Sequence, residues 1–445
     1  MKKTLSFLLV TMLITLTVLT ACGEGGENSG ASSLSEVGAS GADDGGGQTS
    51  DKKITVMVES GSMGEAVAIA TADEFKELTG YEVVIDPVPY TGMYDKLSTG
   101  IRAGASTHDV AHLDPNWIGG LSEGLLPLND LLTNEIEGDL VPGLIDAFSL
   151  GDNLYGMPMW TNCTVLIYRK DWFDDEANKA AFKDKYGYDL KAPQTWDEFK
   201  NCAEFFTTDD TYGCAIVGKP GDASVDRWMD AARQAGASAV VFNEAGQCVV
   251  GERAYVDAAI FMRDLYLNGF APEETLTIAD AESQELFKGN KIAMQFEWTH
   301  QYADAVQSMG VEKVGVAPNI AGAGGIGSFT APFCESVLST SPNQEIAKQY
   351  IQFKYERNAL YMEASLRVAA RASVLEEYAD KEGYEHIDAM FTTLNGPMVA
   401  NRSARYTNWK QYEEVLSAAL QSIFAGADPD TTIAAASEEI ASIGI

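Results

Sequence analysis

The chain has 445 residues, 46% of them hydrophobic and 10% aromatic, and a formal net charge of −34. A field of that sign repels nucleic acid and anionic lipid headgroups, and no basic block past Lys3 offsets it, so neither is expected as a partner. The apolar share is enough for sizeable cores in the roughly 395 residues beyond position 50.

The N-terminus opens with Lys2 and Lys3, then an apolar run from Leu5 to Leu19 that ends in Leu19-Thr20-Ala21-Cys22. A charged start, a short apolar stretch and small residues at a cut make a secretory signal, and the run is too short for a lasting membrane span. The ending resembles a bacterial lipobox. That resemblance implies a signal over 1–22, diacylglycerol on the sulfur of Cys22, and a lipid anchor on the extracytoplasmic face of the cell membrane. Residues 23–50 then carry nine Gly and six Ser among 28, with no aromatic, Lys or Arg. Such a stretch cannot bury enough apolar surface to offset its ordering entropy, so 23–51 is expected to be a flexible tether spanning on the order of 30 Å.

From Ile54 the chain alternates strand and helix. Ile54–Val58 is a β-rich run, and Gly64–Thr79 places Ala68, Ala72, Phe75 and Leu78 on one helical face, closed by Gly80. A strand over Tyr81–Ile85, a helix with Tyr94, Leu97 and Ile101 in register, and a strand at Asp109–Leu113 follow. This β-α-β-α-β order needs crossovers and predicts a mainly parallel sheet flanked by helices. The alternation restarts after Leu166, with helices over Trp196–Phe206, Val225–Ala235, Ala254–Asn268 and Ser283–Phe287 and a strand at Lys291–Phe296. Pro158, Pro193, Pro318 and Pro332 punctuate the connections. Two α/β lobes are the natural reading, and open sheets of this kind bind ligands at the carboxyl ends of their strands.

Ordered pieces of the chain resemble the family 1 extracellular solute-binding proteins, the maltose-binding-protein-like subunits of ABC sugar importers. They are Phe75-Lys76-Glu77-Leu78-Thr79-Gly80-Tyr81-Glu82-Val83, Gly124-Leu125-Leu126-Pro127-Leu128, Tyr155-Gly156-Met157-Pro158, Pro193-Gln194-Thr195-Trp196-Asp197-Glu198-Phe199 and Phe287-Lys288-Gly289-Asn290-Lys291-Ile292-Ala293-Met294. The resemblance implies a two-lobed periplasmic-binding-protein-like fold of type II with three crossings, near Thr161–Cys163, Val316–Pro318 and Met362–Leu366. One lobe would comprise 52–161 plus 318–362, the other 163–316 plus 364–445. It also implies capture of a carbohydrate, read as an oligosaccharide, in an interlobe cleft, hinge closure, delivery to ABC permease subunits, and a monomer.

A sugar shows an apolar C–H face and a rim of hydroxyls, so its cleft needs aromatic platforms beside carboxylate, amide or guanidinium groups. Trp298 with Glu297, Trp228, Trp160 with Asn162, and Trp117 with Asp114 and Asn116 stand at expected strand ends or beside charged residues. Glu59 and Ser60 end the first strand. Arg371 resembles a family arginine near the cleft, and a platform just after the Ala293-Met294 strand is what the resemblance implies for Trp298. Trp196 begins a helix and is expected in the core.

Gly322-Ala323-Gly324-Gly325-Ile326-Gly327 fits a dinucleotide fingerprint, but Ser328-Phe329-Thr330-Ala331-Pro332 follows it in place of a helix, so it is read as a flexible loop. His108 and His112 share one face of a strand without a third ligand, so no metal and no cofactor are expected. Of Cys163, Cys202, Cys214, Cys248 and Cys334, an odd and scattered set, Cys202 and Cys214 are the pair that would bridge; otherwise the thiols are small apolar residues. A secreted glycoside hydrolase is the rival from another class, but the adjacent acids sit where exposed helices are expected, and no enzyme activity is read. Among binding proteins, a polyamine or quaternary amine is the alternative solute, since acids with tryptophans also cage a cation.

Overall fold

A computed structural model describes residues 52–105, 107–363 and 368–445. The signal stretch, Cys22 and the tether expected over 23–51 lie outside the described residues, as do 364–367, which include most of the expected third crossing.

The chain begins with β1 (Lys53–Glu59), α1 (Met63–Thr79), β2 (Glu82–Val88), α2 (Tyr90–Arg102), β3 (Val110–Leu113) and α3 (Pro115–Leu121). Local chemistry sets the ends of α1. The Ser62 hydroxyl accepts from the Glu65 N–H, and Gly80 takes a left-handed φ of 76° while its N–H donates to Lys76 O. The buried stripe of α1 is Val67, Ala68, Thr71 and Phe75, one step round from the expected face, and Leu78 is 65% exposed. Thr71 can hold the central place because its hydroxyl donates to Val67 O at 2.7 Å, so burial leaves no polar group unpaired.

After β4 (Met157–Trp160) the chain enters a second sheet with β5 (Thr164–Arg169). There follow α4 (Trp196–Phe206), β6 (Tyr212–Cys214), α5 (Asp222–Ala235), α6 (Arg253–Leu267), α7 (Asp280–Lys288), β7 (Ile292–Trp298), α8 (Thr299–Met309) and β8 (Val314–Ala317). A short strand β9 (Phe329–Thr330) precedes β10 (Phe333–Val337), which returns to the first sheet. Then come α9 (Gln344–Glu356), α10 (Ala372–Tyr378), α11 (His386–Leu394), β11 (Ala400–Asn401), α12 (Trp409–Phe424) and α13 (Pro429–Ile443).

The first sheet runs β2-β1-β3-β10-β4 and the second β8-β5-β7-β6. Both are mixed, which corrects the expectation of mainly parallel sheets. Strand β1 pairs parallel with β2 and β3, but β10 is antiparallel to β3 and β4, and β5 is antiparallel to β7 and β8. Crossover helices impose parallel pairing only within the β-α-β run; strands entered from the other half of the molecule are free to run back.

The chain passes between sheets over 161–163 and again between Ala317 and Phe333. Residues 369–373 stay on the first half. Ala369 O accepts from Thr161 N, Ala370 O accepts from Val141 N, and Asn358 Oδ1 accepts from both Ala370 N and Arg371 N. Glu385 accepts from the Tyr302 hydroxyl of α8 at 3.0 Å, and α11 packs on α8, β5 and β8 of the second half. Of the stretch assigned from position 364 to the second lobe, residues 369–373 are therefore bound to the first.

The glycine-rich segment is also a correction. Ala321–Gly322 and Gly325–Ile326 form a tight antiparallel hairpin seated on the end of α5, where a Cβ at Gly322 would stand 2.6 Å from Gln234 O. Its glycines serve close backbone approach rather than looseness. All five described cysteines are free, so Cys202 and Cys214 do not bridge, and four of them are buried. No helix among the described residues is long and apolar enough to cross a membrane.

Candidate ligand-binding cleft

The strands of both sheets end on one cavity of about 300 Å³, at the lower end of the volume range of small-ligand clefts. The first half brings Glu59 through Met63 after β1, Tyr90 after β2, Trp160 at the end of β4, and Phe333 at the start of β10. The second half brings Asp222, Ala223 and Asp226 from the first turns of α5, Asp280 from α7, and Trp298, His300 and Gln301 from the end of β7 and the start of α8. Asn162 and Ala331 come from the connections, and Arg402 follows β11.

Arg402 ties the halves together. It is 4% exposed and donates to Asp114, at the end of β3, and to Asp226 on α5. Asp114 also accepts from the Tyr90 hydroxyl at 3.2 Å and caps α3 through Asn116 N. Burial nevertheless holds the Asp226 carboxyl well above the usual carboxylate range, against the pull of Arg402. Glu59 is pushed up to about 7, first by burial and then by the charges of Asp114 and Asp222, with Arg402 opposing.

Trp298 is held rigidly. The Arg227 guanidinium lies 4.7 Å from the ring centroid, and the indole N–H donates to Asp280 at 3.0 Å. Arg227 in turn pairs with Asp280 and Glu297, both at 2.9 Å. Glu297 is fully buried, and its carboxyl is pushed up to about 8 by burial and Asp280 despite Arg227. On the other wall, Trp160 stacks on Phe333 at 5.1 Å and packs against His112 at 4.3 Å. Burial holds the His112 ring neutral, well below its ordinary value.

Asn162 orders the floor. Its Oδ1 accepts from Thr299 N, which makes Nδ2 the donor to His300 Nδ1 at 2.7 Å and leaves the ring proton on Nε2. His300 is pushed down to about 4 by burial and by Arg227, so it stands in the cavity as a neutral ring. The arrangement presents aromatic edges, carboxylates, one guanidinium and an imidazole, and so suits a polar guest with hydroxyl groups.

Of the residues singled out from sequence, Glu59, Ser60, Trp160, Asn162 and Trp298 line the cavity. Asp114 and Asn116 lie beneath it, 0% and 5% exposed. Trp117 is core, packed on Tyr90 at 4.8 Å. Trp228 is core too, its N–H donating to Tyr255 O at 3.0 Å. It sits two positions beyond Asp226, about 200° round the helix, so the acid faces the cleft and the indole cannot. Glu297 points behind the wall at Arg227. Arg371 is away from the cavity, paired with Asp139 at 2.7 Å. Trp196, expected as core, is half-buried, stacked on Phe261 at 4.3 Å.

Tyr90, Asp222, Asp280, His300 and Arg402 were not anticipated, and Asp226 was noted only as a neighbour of Trp228. Asp222 and Asp226 do carry a signal, two acids one turn apart at the start of a helix that follows a glycine. Arg402 carries none, since nothing in its neighbourhood marks it. Among the described residues no cluster of three metal-ligating side chains occurs, and His108 pairs instead with Asp86 at 2.7 Å.

The profile of the family described as bacterial extracellular solute-binding protein matches residues 43–356. The chain belongs to that family. A Brucella abortus chain named as a binding protein is 23% identical over 370 residues, covering 80% of this chain and 84% of its own. A Deinococcus radiodurans chain named as an ABC transporter-binding protein is 25% identical over 268 residues, covering 57% and 60%. Among solved structures, maltose-bound MalE3 of T. maritima superposes with a TM-score of 0.76 at 23% identity, over 88% of this chain and 99% of that one. A Thermotoga lettingae solute-binding protein bound with α-D-tagatose gives 0.75 at 20%, over the same shares. The fold of this extracellular solute-binding protein is thus the two-lobed α/β one, with the cavity at the strand ends of both sheets.

Proposed function

We propose that this solute-binding protein captures a saccharide in the cavity, closes over it, and delivers it to the permease of an ABC importer without altering it chemically. The observation that carries the reading is the lining itself: both sheets contribute side chains to one small cavity, so a guest that fills it contacts both halves at once. Such a guest favours the closed arrangement by its differential contacts. The lining has the two chemistries that a sugar needs, with Trp160, Trp298, Tyr90 and Phe333 for C–H faces and Glu59, Asp222, Asp280, Asn162 and Arg402 for hydroxyls. The names of the Deinococcus relative and of the sugar-bound structures support the transport and carbohydrate parts.

We take the lobes as 52–161 plus 318–362 and 163–316 plus 364–445, with the short tie of 369–373 to the first. The protein is taken to act as a monomer, held outside the cell membrane through Cys22. The test is a thermal-shift screen over neutral mono- and oligosaccharides, followed by small-angle scattering with any hit. A sugar at a hundred times its Kd should add about 2.7 kcal/mol to native stability, and the scattering radius should contract. A panel that moves neither quantity would overturn the reading.

A further inference from the structure

We infer that the guest is a saccharide carrying a basic amino group, whose ammonium lies between Glu59 of the first half and Asp222 of the second. This deepens the carbohydrate reading and rests on it. The cavity wall carries four carboxylates, Glu59, Asp222, Asp226 and Asp280, against one guanidinium, Arg402. His300 adds no charge, since burial keeps it neutral. Two of the acids are already answered: Asp226 accepts from Arg402, while Asp280 accepts from Trp298 Nε1 and pairs with Arg227. Among the described residues, the carboxylates of Glu59 and Asp222 have neither a hydrogen bond nor an ion pair. They belong to opposite halves, one ending β1 and the other opening α5.

A neutral sugar can give each of these acids a hydroxyl, but it leaves them no counter-charge beyond the distant pull of Arg402, which Asp114 and Asp226 already engage, and in a site that closure dries that costs binding energy. Glu59 is pushed up to about 7, first by its burial and then by the neighbouring acids Asp114 and Asp222, so it is an acid that a cation on the spot would relieve. An ammonium supplies that cation and opposes both acids together. The requirement for a sugar rather than a bare amine comes from the other side of the cavity. Asn162, the neutral His300 ring and the Tyr90 hydroxyl face the same cavity, so hydroxyl partners stand beside the place of the cation. Trp298, with its ring already backed by Arg227, adds a platform for a C–H face.

The experiment compares Kd values at neutral pH for three matched forms of one sugar, the 2-amino-2-deoxy form, its N-acetyl derivative and the parent, with spermidine as an amine lacking a ring. Hexose and disaccharide sets are both used. The amino sugar should bind at least about tenfold more tightly than its acetylated and parent forms, and this preference should fall toward unity in Asp222→Asn. Should that variant fail to fold, as judged by its own melting curve, the ratio in the unaltered protein decides alone. Equal affinity for amino and neutral forms would overturn the inference and leave the carbohydrate reading standing. Spermidine binding as tightly as the amino sugar, or no sugar binding at all, would overturn both.

Discussion

Arg402 shows how a single side chain can join two halves of a molecule. It is buried, charged, and bonded to one carboxylate from each half, so removing it strands Asp114 and Asp226 without a counter-charge. Arg402→Met should therefore cost about 3–5 kcal/mol of unfolding free energy, read from urea denaturation. A loss below about 1 kcal/mol would show that the bridge contributes as little as an exposed pair does. Glu59 offers a pH test. Its carboxyl keeps its proton to about 7 when folded, against an ordinary value of 4.5. Between those values the unfolded chain binds fewer protons than the folded one, so this group lowers stability as pH rises and adds nothing further above about 7. The melting temperature of the unaltered protein minus that of Glu59→Gln should thus fall across the window and level off beyond it. The groups facing Glu59 are Asp114, Asp222 and Arg402, and all remain in the variant, so a difference that does not change with pH would refute this account.

Elements were legible where their ends carry chemistry. The helix over Trp196–Phe206 matches its expected bounds because Thr195 caps it, its hydroxyl accepting from Glu198 N, and Gly80 ends α1 for a comparable local reason. The face of α1 and the role of the glycine hairpin were not legible, because each depends on what lies opposite. Gly322 looks like any loop glycine until the Gln234 carbonyl is found 2.6 Å from where its Cβ would stand. Gly322→Ala should consequently push the hairpin off α5 and cost about 1–3 kcal/mol, visible as a lower urea midpoint with an unchanged slope. A neutral substitution would mean that the hairpin yields freely, as the loop reading held.

Across the whole molecule, the proposed anchor separates where the protein is from what it binds. Cys22→Ser should move the protein from the membrane fraction into the medium while the purified protein keeps the affinity proposed for a saccharide, checked by fractionation and by titration. Protein that stays membrane-bound without the thiol would refute lipidation at that site. The proposed closure belongs to the same scale. Buried Asp230 joins the start of β5, just past the first connection, to the second connection, accepting from Thr164 Oγ1 at 2.7 Å and from Phe329 N. In the proposed closure the chain beside these crossings is therefore held by a carboxylate rather than left slack.

The alternation of strands and helices, the run of family-like motifs and the acidic charge are properties of local sequence, and they were enough to determine the fold class and the family. Five of the residues that line the cleft were readable for the same reason, since each stands at a strand end or chain crossing that the pattern places. Which tryptophans face the guest, why Glu297 turns away, and how Arg402 comes to join Asp114 with Asp226 across 288 and 176 positions were decided only by the tertiary structure. Burial and charge pairing depend on which distant segments come together, and the periodicity of any one segment does not contain that information.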